Sequence, residues 1–462
     1  MSFQIHPFPP ATDGDYYAYG QQVLFWTDPG PHAYGGAHYF YIPWGVTGYN
    51  GGGIVKTTDA GSTWTEPDPL TVIDWDLDLL DGRGQPWGQS SDITRIDDAL
   101  YFVWTNNQPN DSYHLPIRVA KFDFATDNWS IYYGGIPPVG DGPEAAVIYY
   151  DAFDQYPYFL RGSMPHCNAN GKLAIFFNAE NIPVYRAIHM VLFDPGTATW
   201  GTVRTITTPS NNAFPIACLY DPVEDRVHLF YTLLYQSGGD SYAPFYHAVI
   251  DPTTGTVDSD VLIHSTIYMT STGGHWIRPV LGTENGERKI SFLAFFNETE
   301  GGYGTRYKVK LWTYDIAGGS WSSELIPFPT QIATSDYDWA VYASSLTSMN
   351  NGVGFYNDAI QLFLCTYNET LSEGDWENPQ GAQIWRATRN GASWSYCLQH
   401  SEPAGSNRKW FGPQFREDAT LGPGFIAYSE RYDTMTPDPH TQTVRWFSLL
   451  TCGRRRPEID EA

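Results

Sequence analysis

The sequence predicts an all-β fold, a seven-bladed β-propeller built from four-stranded antiparallel blades. Three observations predict it. A unit ending in Asp, a short turn and Trp recurs along the chain. A strongly apolar strand recurs upstream of each copy. The last copy lacks an outer strand, and a matching strand stands at the N-terminus. Composition agrees: 16% aromatic residues, 44 Gly and 33 Pro supply aromatic strands and many turns, while 42% hydrophobic residues suffice for a core. No long stretch carries a helical period.

The hairpins come first. KFDFATDNWSIYY sets Asp123 six residues before Trp129, LFDPGTATWGTVRTI sets Asp194 six before Trp200, and TYDIAGGSWSSELI sets Asp315 six before Trp321. VIDPTTGTVDSDVLI keeps Asp251 but has Val257 in place of the Trp, and ATRNGASWSYCLQ keeps Trp394 behind an Asn-Gly turn. TTDAGSTW, at 57–64, is the tightest copy. Each reads as two strands joined by a turn.

Upstream, an inner strand begins near an aromatic: Trp87, Phe159, Phe214, Trp276, Trp339 or Trp410. The strand after it is ALYFVWTN, KLAIFFNA, RVHLFYTL, KISFLAFFN, AIQLFLCTYN or GFIAYSE, with AHYFYIPW as the equivalent in the first unit. The blades therefore span about 15–70, 86–138, 157–208, 213–265, 275–328, 338–402 and 409–451 of a single domain, 1–451, with a tail at 452–462. The seventh stops after its third strand, TVRWFSLLTCG. SFQIHPFPP at the N-terminus matches SSELIPFPT at 322–330, the outer strand of the fifth blade, so 3–9 completes the seventh blade and closes the ring. Closure removes the unpaired edges of an open sheet. Segments 67–85 and 140–156 fall outside the blades, and long ordered connections are often functional.

Charge and composition exclude some partners. A net charge of −25 opposes nucleic acid and anionic membrane surfaces, and no segment is long and apolar enough to insert into a bilayer. Five scattered cysteines, 167, 218, 365, 397 and 452, with no CxxC, predict neither a disulfide framework nor a zinc site. MSFQIHPFPP has no basic stretch leading into an apolar run, so no signal peptide is expected in this chain. The acidic, aromatic composition fits an extracellular or virion-surface setting.

The hairpin TTDAGSTW resembles the Asp-box of sialidases and of other β-propeller proteins. That resemblance implies a propeller and, for the family, catalysis on sialic acid through an arginine triad and an Arg-Ile-Pro stretch. No Arg-Ile-Pro occurs here, and seven blades are counted where that family typically has six. The resemblance therefore covers the hairpins, and no catalytic residue is carried over from it. The hairpin tips lie toward the outer edge, where Thr57 and Asp59 satisfy backbone groups and Trp64 packs between blades.

Function is expected at the channel mouth, where the loops joining second to third strands gather. Those loops are rich in Asn, Asp, Glu, Tyr and Gly, as in NNQPNDSYH, NETEGGYGTR and YNETLSEGDWENPQ. Amide and carboxylate acceptors beside aromatic faces suit sugars. Arg161 and Arg278 each stand two residues after a leading aromatic, on one face of their strands, and would grip a carboxylate or form structural ion pairs. Arg416 or Arg95 would supply a third arginine. The leading expectation is glycan recognition without catalysis, as a lectin or adhesin, with Trp87, Trp276, Trp339 and Trp410 stacking on sugars or packing the channel. A polysaccharide hydrolase or uronate lyase is the alternative, with Arg161 and Arg278 on the carboxylate and His275 as base; His114 and His166 are further bases. A scaffold docking onto other subunits of an assembly is the third. No cofactor is expected beyond a possible Ca²⁺ on Asp74, Asp76, Asp78 and Asp81 of DWDLDLLDG, where an amphipathic strand is the competing reading.

Overall fold

The computed structural model describes residues 2–5, 28–46, 49–65, 93–105, 114–115, 117–133, 148–149, 165–181, 185–207, 213–233, 241–269, 277–297, 307–326, 337–339, 351–368, 380–403, 408–431 and 441–450. Among them every regular element is a strand, and besides a two-stranded antiparallel pairing of His114–Leu115 with Ile148–Tyr149, seven larger antiparallel sheets follow one another along the chain. They are the seven blades of a propeller.

Blade one holds His32–Tyr34, Ala37–Val46 and Tyr49–Thr57, with a bridge from Lys56 to Thr65. Blade two runs Ile93–Ile96, Ala99–Thr105, Ile117–Asp123 and Asn128–Tyr133. Blade three runs His166–Ala169, Lys172–Asn181 and Tyr185–Asp194, with a broken outer strand at Thr199–Trp200 and Arg204–Thr205. Blade four has Ala213–Asp221, Arg226–Leu233, Ser241–Ile250 and Val257–Met269. Blade five has Val280–Glu284, Glu287–Asn297, Tyr307–Asp315 and Ser320–Leu325. In blade six, Tyr337–Trp339 and Asn351–Tyr356 share the inner edge, followed by Ala359–Asn368, Gln380–Asn390 and Ser393–Ser401. Blade seven is Arg408–Asp418, Gly422–Arg431 and Thr441–Ser448, completed by Ser2–Ile5.

That last pairing closes the ring as the two chain ends predict. Ser2–Ile5 lies antiparallel to Thr441–Ser448, with Phe3 opposite Trp446 and Ile5 opposite Val444. First strands neighbour first strands from blade two to blade seven, so they line the inside of the ring. The approach is closest between blades six and seven: a Cβ on Gly352 would fall on the Pro413 carbonyl oxygen, and one on Gly354 would meet the Phe415 ring. Only glycine fits there.

The recurring Asp and Trp have separate jobs. Each Asp ends or directly follows a third strand and folds its carboxylate over the turn that follows. Asp123 Oδ1 accepts from the Ala125 and Thr126 N–H groups at 3.0 and 3.3 Å. Asp194 accepts from Gly196 and Thr197, Asp251 from Thr253 and Thr254, and Asp315 from Gly318. These local bonds replace water for backbone donors that the hairpin leaves unpaired. In TTDAGSTW, Asp59 takes the Thr63 hydroxyl at 2.6 Å, the Thr63 N–H at 2.8 Å and the Thr57 hydroxyl at 2.8 Å. Those bonds, led by the Thr63 hydroxyl, hold its carboxyl down at about 2.

Each following Trp packs back onto the preceding blade. Trp129 joins Tyr39, Tyr41, Phe102 and Phe122 between blades one and two, and Trp200 joins Tyr101, Leu173 and Phe193 between two and three. Trp321 sits with Phe230, Phe245 and Phe292 between four and five, and Trp394 with Leu311 and Leu362 between five and six. Where Val257 replaces the Trp, the seam between blades three and four is filled by Ile188, Met190, Leu229 and Ile250. Burying a side chain of this size is worth about 1.5–3 kcal/mol, so these seams carry much of the hydrophobic stabilisation.

The cysteines form no framework among the described residues, though one of them is bridged. Cys167, Cys218 and Cys365 are free and buried, but Cys397 on the outer strand of blade six is disulfide-bonded to a partner outside the described residues. The bridge is not a framework, and the scattered spacing held no local signal for it.

Candidate functional site

The inner strands bring together a polar cluster at the axis, drawn from blades one, two, five and seven. Asp28 stands four residues before His32, the first residue of blade one's inner strand. Its Oδ1 accepts the Gly30 N–H at 3.1 Å, which turns the chain into the strand. The same oxygen receives Arg416 Nε at 2.9 Å and Nη2 at 2.6 Å from the inner strand of blade seven. Arg416 is held in turn by the Phe415 carbonyl at 2.8 Å and by Gln414 Oε1 at 3.2 Å. Oδ2 has no hydrogen-bond partner among the described residues, and the Asp28 side chain keeps 34% of its surface open.

Arg278 faces Asp28 from blade five, on the far side of the ring, close enough for its charge to act on the carboxylate. Burial alone would raise the Asp28 carboxyl. Arg416, His32 and Arg278 outweigh that and hold it well below the usual carboxylate range. A group so placed is ionised at any working pH. It accepts hydrogen bonds and is unsuited to donating a proton.

His32 steadies this turn. Its Nε2 lies 3.0 Å from the Asp28 carbonyl oxygen, which only accepts, so Nε2 carries the proton. Burial lowers its pKa, Asp28 partly offsets that, and Arg416 and Arg95 lower it further. The ring is buried, so it orients Asp28 and does not serve as a base toward a ligand. Arg95 is committed elsewhere: Nη2 donates to the Ala33 carbonyl and Nε to the Asp97 carbonyl, both at 3.0 Å, with the guanidinium 5.3 Å over Phe124. It ties blade two to blade one. Arg416 is the arginine that meets Arg278's neighbourhood, through Asp28.

The other sequence-derived candidates divide as follows. Trp87, Arg161, His275 and Trp276 lie outside the described residues, as do Asp74, Asp76, Asp78 and Asp81. The backbone of Trp339 is in a strand, opposite Thr366. His166 is buried in the inner strand of blade three. Trp410 offers no face to a ligand: it is 3% exposed, packs edge-on against Phe447 at 5.2 Å, and donates from Nε1 to Glu402 at 2.9 Å. Of its two sequence readings, packing is the one it fulfils. Asp28, His32 and Gln414 are not among the sequence-derived candidates. A signal was available for Asp28, since Asp-Pro-Gly-Pro before a strand marks a turn whose carboxylate caps backbone N–H groups.

No protein-family model matches the sequence, and no curated protein matches it. The fold is similar to those of solved carbohydrate-active proteins. The α-L-arabinofuranosidase of Fusarium graminearum is 9% identical with a TM-score of 0.41, over 77% of this chain and 92% of that one. The polysaccharide lyase Uly1 is 8% identical with a TM-score of 0.48, over 90% and 89%. The NanB sialidase of Streptococcus pneumoniae is 10% identical with a TM-score of 0.40, over 90% and 67%. These likenesses are of overall fold, and no functional residue is carried over from them.

Proposed function

We propose that this protein recognises a hydroxyl-rich glycan at the axis of its ring without cleaving it. One observation carries the reading: Asp28, fixed by Arg416 and His32, holds an ionised carboxylate whose Oδ2 has no hydrogen-bond partner among the described residues and whose side chain is 34% exposed. Sugar hydroxyls need such acceptors, and a charged acceptor is worth about 1.5–3 kcal/mol per bond. A permanently ionised carboxylate favours binding over acid catalysis. The finer setting, an adhesin on a virion or tail assembly, is proposed on the acidic and aromatic composition.

The test is a glycan array beside a polysaccharide-degradation screen, with wild type and Asp28→Asn. The expected result is binding to a glycan set, no product, and a loss of roughly 10- to 100-fold in affinity in the variant. Product formation would replace this reading with the hydrolase or lyase one. Absence of binding to any glycan would favour the scaffold, to be followed by a search for partner subunits.

A further inference from the structure

Blade four carries three ligating side chains that the channel cluster does not use. Asp221 ends the inner strand, Glu224 lies in the hairpin beyond it, and His228 is on the second strand, opposite Leu219. Their ligating atoms all lie within 4.8 Å of one another. Asp221 is 0% exposed and His228 1%, and Asp221 Oδ2 and His228 Nε2 are both buried with no hydrogen-bond partner. Leaving such atoms unmatched is costly, so two of them on side chains of one ligating cluster call for an occupant. Glu224 is exposed at the rim and provides access.

The remaining atoms of these residues are already engaged. Asp221 Oδ1 accepts the Val223 N–H at 2.9 Å and pairs with Arg288 of blade five. His228 Nδ1 lies 2.8 Å from Nε2 of buried His247, with the two rings nearly parallel. His247 Nδ1 in turn accepts Trp321 Nε1–H at 3.3 Å.

We propose that Asp221, Glu224 and His228 bind a divalent transition-metal ion of the zinc class. One imidazole nitrogen with two carboxylates suits such an ion better than Ca²⁺ or Mg²⁺, which favour all-oxygen shells. Three protein ligands leave a fourth position for water. Bonds of about 2.0–2.2 Å require the three groups to draw in slightly, a movement open to Glu224 at the surface. His247 is the outer partner that orients the ligating imidazole. Arg288 competes with the ion for Asp221, so binding is expected to be weaker than at a site without a neighbouring cation.

The histidine pair gives the proposal a specific signature. Trp321 can only donate, so His247 Nδ1 accepts, its proton sits on Nε2, and the His228 proton is left on Nε2. A metal on His228 Nε2 requires both protons to move to the Nδ1 positions. The pair stays neutral and no proton is lost, but His247 Nδ1–H then faces the Trp321 N–H, and that long bond is given up. Removing the Trp321 donor therefore favours metal.

The experiment uses the full chain freed of metal with chelator, then titrated with Zn²⁺ against a chromophoric competitor, and with Co²⁺ for its visible spectrum. One equivalent is expected to bind. His228→Gln abolishes it, Glu224→Gln weakens it about tenfold, and Trp321→Phe tightens it about fivefold. Absence of binding, or binding that survives both His228→Gln and Glu224→Gln, overturns the site. Weaker rather than tighter binding in folded Trp321→Phe also overturns it, through the tautomer argument. Glu224 is exposed, so its variant keeps the test decisive if His228→Gln does not fold.

Discussion

Trp410→Ala separates packing from sugar stacking at the one channel aromatic whose surroundings are described. The side chain is 3% exposed and touches Phe447 at 5.2 Å and His400 at 5.2 Å, within the cluster joining blades six and seven. Truncating a Trp this buried removes its transfer energy and leaves a cavity, a loss of about 3–5 kcal/mol. Glu402 Oε1 also loses a donor, although His400 still reaches it at 2.9 Å. Trp410→Phe keeps the ring packing and gives up only the Nε1–H bond, a loss of about 1 kcal/mol. Both variants are to be measured by urea unfolding followed by tryptophan fluorescence and circular dichroism, with glycan binding assayed on the folded fraction. The expected pattern is a large loss of stability for Ala, a small one for Phe, and unchanged binding by folded protein. A stable Ala variant that has lost binding would refute the packing assignment and restore Trp410 to the ligand site.

Three further outcomes are expected. Gly352→Ala forces the inner strands of blades six and seven apart, because its Cβ would occupy the Pro413 carbonyl oxygen. Destabilisation of about 1–3 kcal/mol or more is expected in the same unfolding assay. Asp418 is held below its ordinary pKa: burial raises it, but the Leu421 and Thr420 N–H groups and His38 outweigh that. Its contribution is therefore full above about pH 4 and lost as pH falls through the lower folded value. The stability gap between wild type and Asp418→Asn should close over that range, and a gap constant down to pH 2 would contradict the shift. Deleting residues 2–5 bares the Thr441–Ser448 edge, and self-association is expected by light scattering, with a monomer counting against closure by strand pairing.

How much was legible depends on distance along the chain. The hairpins were, because Asp123, Asp194, Asp251 and Asp315 act on backbone groups two or three residues away. Ring closure was, because a strand missing at one end and present at the other constrain each other. The axial cluster was not. Asp28 and Arg416 are 388 positions apart, and no local spacing joins residues that only the closed ring brings together. Arg95 and Arg416 were equivalent as letters, and their neighbours decide between them: carbonyls hold one, a carboxylate the other. The blade-four cluster lay between these cases. Asp221 and His228 flank one hairpin, and antiparallel register sets them near each other, but burial and the empty hydrogen-bonding capacity that distinguish them are tertiary facts.

The seam between blades seven and one carries polar links that bear on function. Apolar side chains are buried on its two faces, Phe40 and Val55 of blade one and Ile426, Val444 and Trp446 of blade seven, and apolar contact is non-directional. Two polar links span the join: a hydrogen bond between His38 Nε2 and Asp418 Oδ1 at 3.2 Å, both residues buried, and the ion pair of Arg416 with Asp28 at 2.6 Å. Buried pairs add little net stability, and their best-attested use is to fix register. Fixing the register of the last blade on the first also fixes the Asp28 carboxylate through its Oδ1, leaving Oδ2 without a hydrogen-bond partner among the described residues. The bond that locks the ring is thus the bond that builds the acceptor. It follows that loosening closure from a distance should weaken ligand binding even where no channel residue is changed. Asp418→Asn, which leaves Asp28 and Arg416 intact, is the substitution in which that coupling would be seen.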